Sequence, residues 1–244
     1  MFEKDMCVMK KLLGEISDSE NGRRIMLTVK YNQVSKVDLI VLRTLLEGMG
    51  KRGLFVTIDR PHQYMDYLLR LNKIDHSNLT FLDMISNISG EVPTLGANVK
   101  FGPSPFGIAS LIEMLENGGT ALDGGSIDVA ILDFLMIDNL SSMLVYNSIG
   151  EVTSFLERYL HLIERYGTLF TAIVIEVNSD PKLYACLTKL CQKCFQFTDD
   201  GQLLPLDASA TEEAPGNEQV SESIIIFAPQ NRACPLSRPS GTGA

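Results

Sequence analysis

The sequence predicts an α/β protein with a central, mostly parallel sheet flanked by helices, and three observations carry that expectation. Short β-like runs alternate with amphipathic helical stretches, the pattern left by crossover helices between parallel strands. The chain has 244 residues, 45% hydrophobic and 21% charged, so one large core can form without disulfides or a structural metal. No internal repeat and no interior linker divides it. The expected organisation is a helix in 1–20, one α/β domain over 21–229 and a disordered tail over 230–244.

The elements follow in order. Phe2, Met6, Met9, Leu12 and Leu13 fall on one helical stripe, then Arg24–Val29 reads as a strand. A helix through Val37, Ile40, Val41, Leu42 and Leu45 stops at the glycines of 48–53. Leu54–Ile58 is a second strand, and Pro61 opens a helix over His62–Ile74 expected to pack Tyr64, Tyr67, Leu68 and Leu71 inward. Leu79–Asp83 is a third strand. Glycines and prolines between Ser86 and Pro105 read as a long surface loop, followed by a helix over Pro105–Glu116. Ile127–Ile137 reads as one buried strand ending at Asp138, and Ile149–Tyr166 as the longest helix. A strand at Thr171–Val177, a helix at Pro181–Cys194 and a short strand at Phe195–Phe197 complete the alternation. Residues 200–222, acidic and rich in Pro, Ala and Ser, read as a mobile hairpin connection to a closing antiparallel strand at Ser223–Phe227.

Charge and cysteine usage narrow the function. A net charge of −9, with Lys10-Lys11, Arg23-Arg24 and Lys51-Arg52 scattered, opposes general binding to nucleic acid or anionic membranes. No apolar run approaches the roughly 20 residues of a membrane span. The charged start Met1-Phe2-Glu3-Lys4-Asp5 does not read as a signal peptide, so a cytoplasmic protein is expected. Cys191-Gln-Lys-Cys194 lacks the second pair a zinc site needs, and apolar residues at helical spacing around it place these thiols toward the core. Ser141 and Ser142 lack a nucleophile elbow; His62 and His161 read as ordinary helix residues, and the Gly118-Gly119 and Gly124-Gly125 pairs as loop glycines.

Several phrases carry a resemblance. Gly53-Leu-Phe-Val-Thr-Ile-Asp59-Arg-Pro61, then Asn72-Lys-Ile-Asp75-His-Ser-Asn78-Leu-Thr-Phe-Leu-Asp83, is similar to the second helix-and-strand unit of KaiC-like members of the RecA superfamily. Phe134-Leu-Met-Ile-Asp138-Asn-Leu-Ser-Ser142 looks like that family's Walker B strand and the serines after it. The resemblance spans about 22–200 and is strongest to an archaeal branch lacking the phosphate-binding loop. It implies a RecA-like, P-loop-type fold with C-terminal antiparallel strands.

The same resemblance locates what has changed. A phosphate loop needs G-x-x-x-x-G-K-[ST], and the corresponding segment is Lys30-Tyr-Asn-Gln-Val-Ser-Lys-Val37. Lys30 and Ser35 fill the glycine positions and Val37 the magnesium hydroxyl; only Lys36 matches. Ser35 and Lys36 are therefore vestigial candidates for nucleotide contact. The resemblance implies a magnesium-ordering role for Asp138 and a water-activating role for Asp59; strand-terminal turn or capping roles are the plainer reading. The expected function is a non-catalytic module with a degenerate nucleotide site, no cofactor and a regulatory role through a protein partner or self-association. The alternative is a divergent ATP-binding protein or ATPase using Asp138 and Asp59 with ATP and magnesium. Arg158 and Arg165, near Glu157 and Glu164, read as a solvated helix face or interface residues. Side chains of 30–37 are expected to constrict the cleft, with Asp138 held by Ser141 or a backbone N–H.

Overall fold

The computed structural model describes residues 3–17, 23–89, 98–102, 104–118, 121, 126–167 and 169–206. Two compact units divide the chain, Met1–Thr211 and Glu212–Ala244, and every described residue belongs to the first. The strand expected at Ser223–Phe227 and the tail over 230–244 lie outside the described residues.

In chain order the elements are α1 (Glu3–Ser17), β1 (Arg24–Val29), α2 (Val34–Arg43), β2 (Gly53–Thr57), α3 (His62–Leu71), β3 (Leu79–Asp83), α4 (Ser86–Ser89), β4 (Val99–Phe101), α5 (Ile108–Asn117), β5 (Phe134–Asp138), α6 (Met143–Tyr146), α7 (Ile149–Arg165), β6 (Phe170–Glu176), α8 (Pro181–Leu190), β7 (Lys193–Phe197) and β8 (Leu203–Pro205). The strands form one eight-stranded sheet in the order β4-β3-β2-β5-β6-β1-β7-β8. All pairings are parallel except β7 with β8.

The strands are apolar throughout because helices cover both faces. Ile25, Leu27 and Val29 point toward α1, α2 and α3, whereas Met26 points into the core built with α5, α7 and α8. Phe134 and Met136 go with the first group, Leu135 and Ile137 with the second. Each such side chain, fully buried, contributes about 2 kcal/mol. Helix propensities differ by only a few tenths. Packing therefore decides where the helices lie.

Five expectations need correction, the first in 200–222, expected as a mobile connection, where Leu203–Pro205 form β8 and pair antiparallel with β7. On α3 the buried residues are His62, Met65 and Leu69, Leu68 is half-buried, and Tyr64, Tyr67 and Leu71 are exposed. The helix carries two apolar stripes; His62, bonded to Asp83 through its backbone N–H at 2.8 Å and its ring at 2.7 Å, fixes which one faces inward. Residues 127–137 are not one strand: Asp128 accepts the N–H of Ala130 and caps a 3-10 turn at Val129–Ile131, so β5 starts at Phe134. The helix after Pro181 ends at Leu190, where Cys191 turns extended and the side chain of Gln192 accepts the N–H groups of Arg23 and Arg24. Cys194 thus lies in β7, though Cys191 and Cys194 are both buried as expected. The expected loop after Ser86 contains the short α4 and the sheet-edge strand β4.

Candidate functional site

The carboxyl ends of β1, β2, β5 and β6 lie along one edge of the sheet, where α/β folds present their loops for binding. After β1 the chain does not arch. Tyr31–Gln33 form a 3-10 turn that runs into α2, with Gln33 N–H donating to Lys30 O at 2.8 Å and Val34 N–H donating to Tyr31 O. After β2 come Asp59 and Arg60. After β5 comes Asn139, through a cis peptide from Asp138.

Three of these segments meet at Arg60. Its Nη1 donates to Ser35 Oγ at 2.5 Å, its Nε lies 3.4 Å from Asp59 Oδ1, and its Nη2 is 3.7 Å from Asp138 Oδ1. The guanidinium rests over the Tyr64 ring, 5.1 Å from its centroid. Ser142 Oγ donates to the other oxygen of Asp59 at 3.1 Å. Asp138 is 2% exposed and Asp38, from the second turn of α2, is 0% exposed.

Asp38 and Asp138 form a carboxyl pair. No hydrogen-bond donor reaches either oxygen of Asp38 or Oδ1 of Asp138. Two neighbouring carboxyl groups buried without donors cannot both be ionised. Burial first, then the neighbouring Asp138, holds Asp38 well above the usual carboxylate range. Burial also pushes Asp138 up to about 6, against the pull of Arg60. The Asp38–Asp138 pair therefore holds one proton between them, beside the cation of Arg60 and the carboxylate of Asp59.

The other predicted residues lie as follows. Lys36 pairs with Asp5 at 2.9 Å and sits over the Phe197 ring, 5.5 Å from its centroid, on the side of α1 and β7. Ser35 and Asp59 join the Arg60 cluster. Ser141 is not the partner of Asp138: its hydroxyl meets Ser179 Oγ at 2.5 Å and accepts the N–H of Glu176. Val34 is buried, while Tyr31 stays exposed rather than filling the cleft. His62 serves Asp83, and His161 is exposed 3.9 Å from Glu164. Arg158 reaches across to Glu116 of α5 at 2.5 Å and so ties two helices together, while Arg165 lies over Tyr166. Gly118, at φ +62°, caps α5. Sequence reasoning missed Asp38 and Arg60. An acid among Val37, Ile40, Val41 and Leu42 was the available signal for Asp38.

The sequence matches no protein-family model and no curated protein. Solved structures resemble the fold. An uncharacterized protein from Pyrococcus horikoshii, in complex with an unknown peptide, is 13% identical with a TM-score of 0.51, over 77% of this chain and 85% of that one. A KaiC-like protein from Pyrococcus horikoshii OT3 is 13% identical with a TM-score of 0.48, over 73% and 74%. The flagellar accessory protein FlaH from Methanocaldococcus jannaschii is 10% identical with a TM-score of 0.46, over 77% and 79%. The likeness to the first of these is one of fold. No helix among the described residues is long and apolar enough to cross a membrane.

Proposed function

We propose that the chain is a RecA-like module that works through a protein partner in a regulatory role and does not turn over nucleotide. The observation that carries this reading is Arg60, whose guanidinium sits between Asp59 and Asp138. A magnesium ion at Asp138 would have to displace that cation and the proton held by the Asp38–Asp138 pair, and Val37 offers it no hydroxyl. The N–H groups of Gln33 and Val34 are used within their own turn, and Lys36 is committed to Asp5. The residues present do not fit magnesium–nucleotide. A protein of this fold has been solved with a peptide bound, which supports a polypeptide as the class of partner.

Isothermal titration with ATP, ADP and GTP, each with magnesium, tests the reading. No heat of binding is expected at micromolar ligand. Micromolar binding, or hydrolysis abolished by Asp138→Asn, would replace it with a divergent ATPase that uses Asp138 and Asp59.

A further inference from the structure

Beside the Arg60 cluster, the carboxyl edge of the sheet opens into a cavity of about 450 Å³ bordered by Tyr31, Asp59, Val145, Glu176, Asn178 and Asp180, among others. Its charged lining is entirely acidic. Asp59 is already engaged by Ser142 and Arg60. Glu176 gives Oε1 to the amide of Asn139 at 2.8 Å, and Asp180 gives Oδ1 to the N–H of Lys182 at 2.8 Å. The second oxygen of each carboxylate has no donor among the described residues. At the rim, Tyr31 is 69% and Val145 76% exposed.

Unengaged carboxylate oxygens beside an open aromatic ring and an aliphatic side chain match one ligand chemistry: a cation carried on an apolar stem. The stem covers Val145, the cation lies against Tyr31, and the carboxylates accept its hydrogen bonds. A bare metal ion matches less well, because no three His, Cys, Asp or Glu side chains among the described residues are spaced to hold one. Arginine fits better than lysine, since its planar fork can reach two carboxylates while stacking on a ring. The net charge of −9 favours the approach of a basic partner. We propose that this cavity receives an arginine side chain presented by a protein partner. This rests on the partner-binding reading above and names the chemistry that the partner must carry.

The test is a titration of the full-length, ¹⁵N-labelled chain with the peptide acetyl-Ala-Ala-Arg-Ala-Ala-amide, its norleucine analogue and agmatine, followed by amide chemical shifts. The arginine peptide should move the amides of Asn178, Ser179 and Asp180, and the norleucine peptide should not. Glu176→Gln alone should weaken binding roughly tenfold and together with Asp180→Asn roughly a hundredfold, about one factor of ten for each charge-assisted hydrogen bond lost. Asn retains the helix cap at 180; if the double variant does not fold, Glu176→Gln alone decides. Shifts that are absent, that persist undiminished in the variant, or that agmatine reproduces at equal affinity overturn the proposal. The nucleotide titration is separate: a null result here with no nucleotide binding removes the arginine and leaves the partner reading.

Discussion

Replacing Asp83 by Asn should destabilise the protein by an amount that depends on pH. Asp83 is fully buried at the end of β3 and accepts five hydrogen bonds: from His62 N–H and its ring Nδ1, from Ile85 and Ser86 N–H, and from Ser86 Oγ, at 2.7–3.0 Å. Burial raises its affinity for a proton, but the His62 and Ser86 bonds prevail and hold it at about 2 against an ordinary 3.8. That gap of about 1.8, at 1.36 kcal/mol per pH unit, makes the ionised form worth about 2.5 kcal/mol. The folded value lies below the unfolded one. The contribution is therefore present above pH 3.8 and is lost as pH falls toward 2. Asn keeps the shape and an acceptor but not the charge. At neutral pH the variant should lose about 2 kcal/mol, or roughly 4–8 °C in Tm for a domain of this size. The deficit should shrink progressively below pH 4. Urea denaturation of both proteins followed by circular dichroism between pH 7 and pH 3 measures it. A deficit unchanged across that range would refute the electrostatic account, and no deficit at pH 7 would refute the anchoring role.

Asp38→Asn should leave stability unchanged or improved at pH 7, because a proton held well above the unfolded value costs stability as pH rises past 3.8 and Asn carries no such proton; paired denaturation curves at pH 7 and pH 4 should converge at the lower pH. Arg60→Met should cost about 3 kcal/mol by stripping the cation from Asp59 and Asp138, with Arg60→Lys recovering part of it, both read by chemical denaturation. Gly53→Ala should cost about 2–3 kcal/mol or prevent folding, since the new Cβ would lie 2.0–2.3 Å from ring atoms of the buried Phe134; soluble yield and Tm report it. Native alkylation followed by mass spectrometry should label exposed Cys7 and spare Cys191, whose thiol burial pushes up to about 12, until the chain is unfolded.

What the sequence conveyed about the fold, and where it stopped, follows from how much each pattern constrains. Continuous apolar runs such as Arg24–Val29 and Phe134–Asp138 can only be buried on both faces, and the helices between them supply that cover. The chain order of β1, β2, β3, β5, β6 and β7 with the long helices between them was therefore plain, whereas α4, α6, β4, β8 and the order of strands in the sheet were not. Helix α3 was ambiguous because Tyr64, Tyr67 and Leu71 form as good a stripe as Met65 and Leu69. Two hydrogen bonds from His62 to Asp83, between residues 21 apart, break the tie. Short-range periodicity contains no term for such a contact. Boundaries at Val129–Leu132 and at Cys191 moved for the same kind of reason, through an Asp128 cap and a Gln192 side chain bonded to β1.

The site shows the limit of motif comparison more sharply. Matching Lys30–Val37 to a phosphate loop directs attention to the one retained residue, Lys36, yet its ammonium pairs with Asp5 on the side of α1. The chemically unusual residues are Asp38, two positions on, and the neighbour of Asp59, Arg60, which no motif singled out. Both announce themselves by energetics. An unpaired buried carboxylate would cost several kcal/mol, so an acid inside the apolar stripe of α2 demands a proton or a cation nearby. Both are at hand: burial and the neighbouring Asp138 raise the hold of Asp38 on a proton, and the cation is Arg60 from the adjoining loop. A sheet edge that satisfies its own carboxylates in this way needs no metal to be stable. Its remaining unengaged acceptors, on Glu176 and Asp180, lie in the open cavity where a partner's side chain would find them.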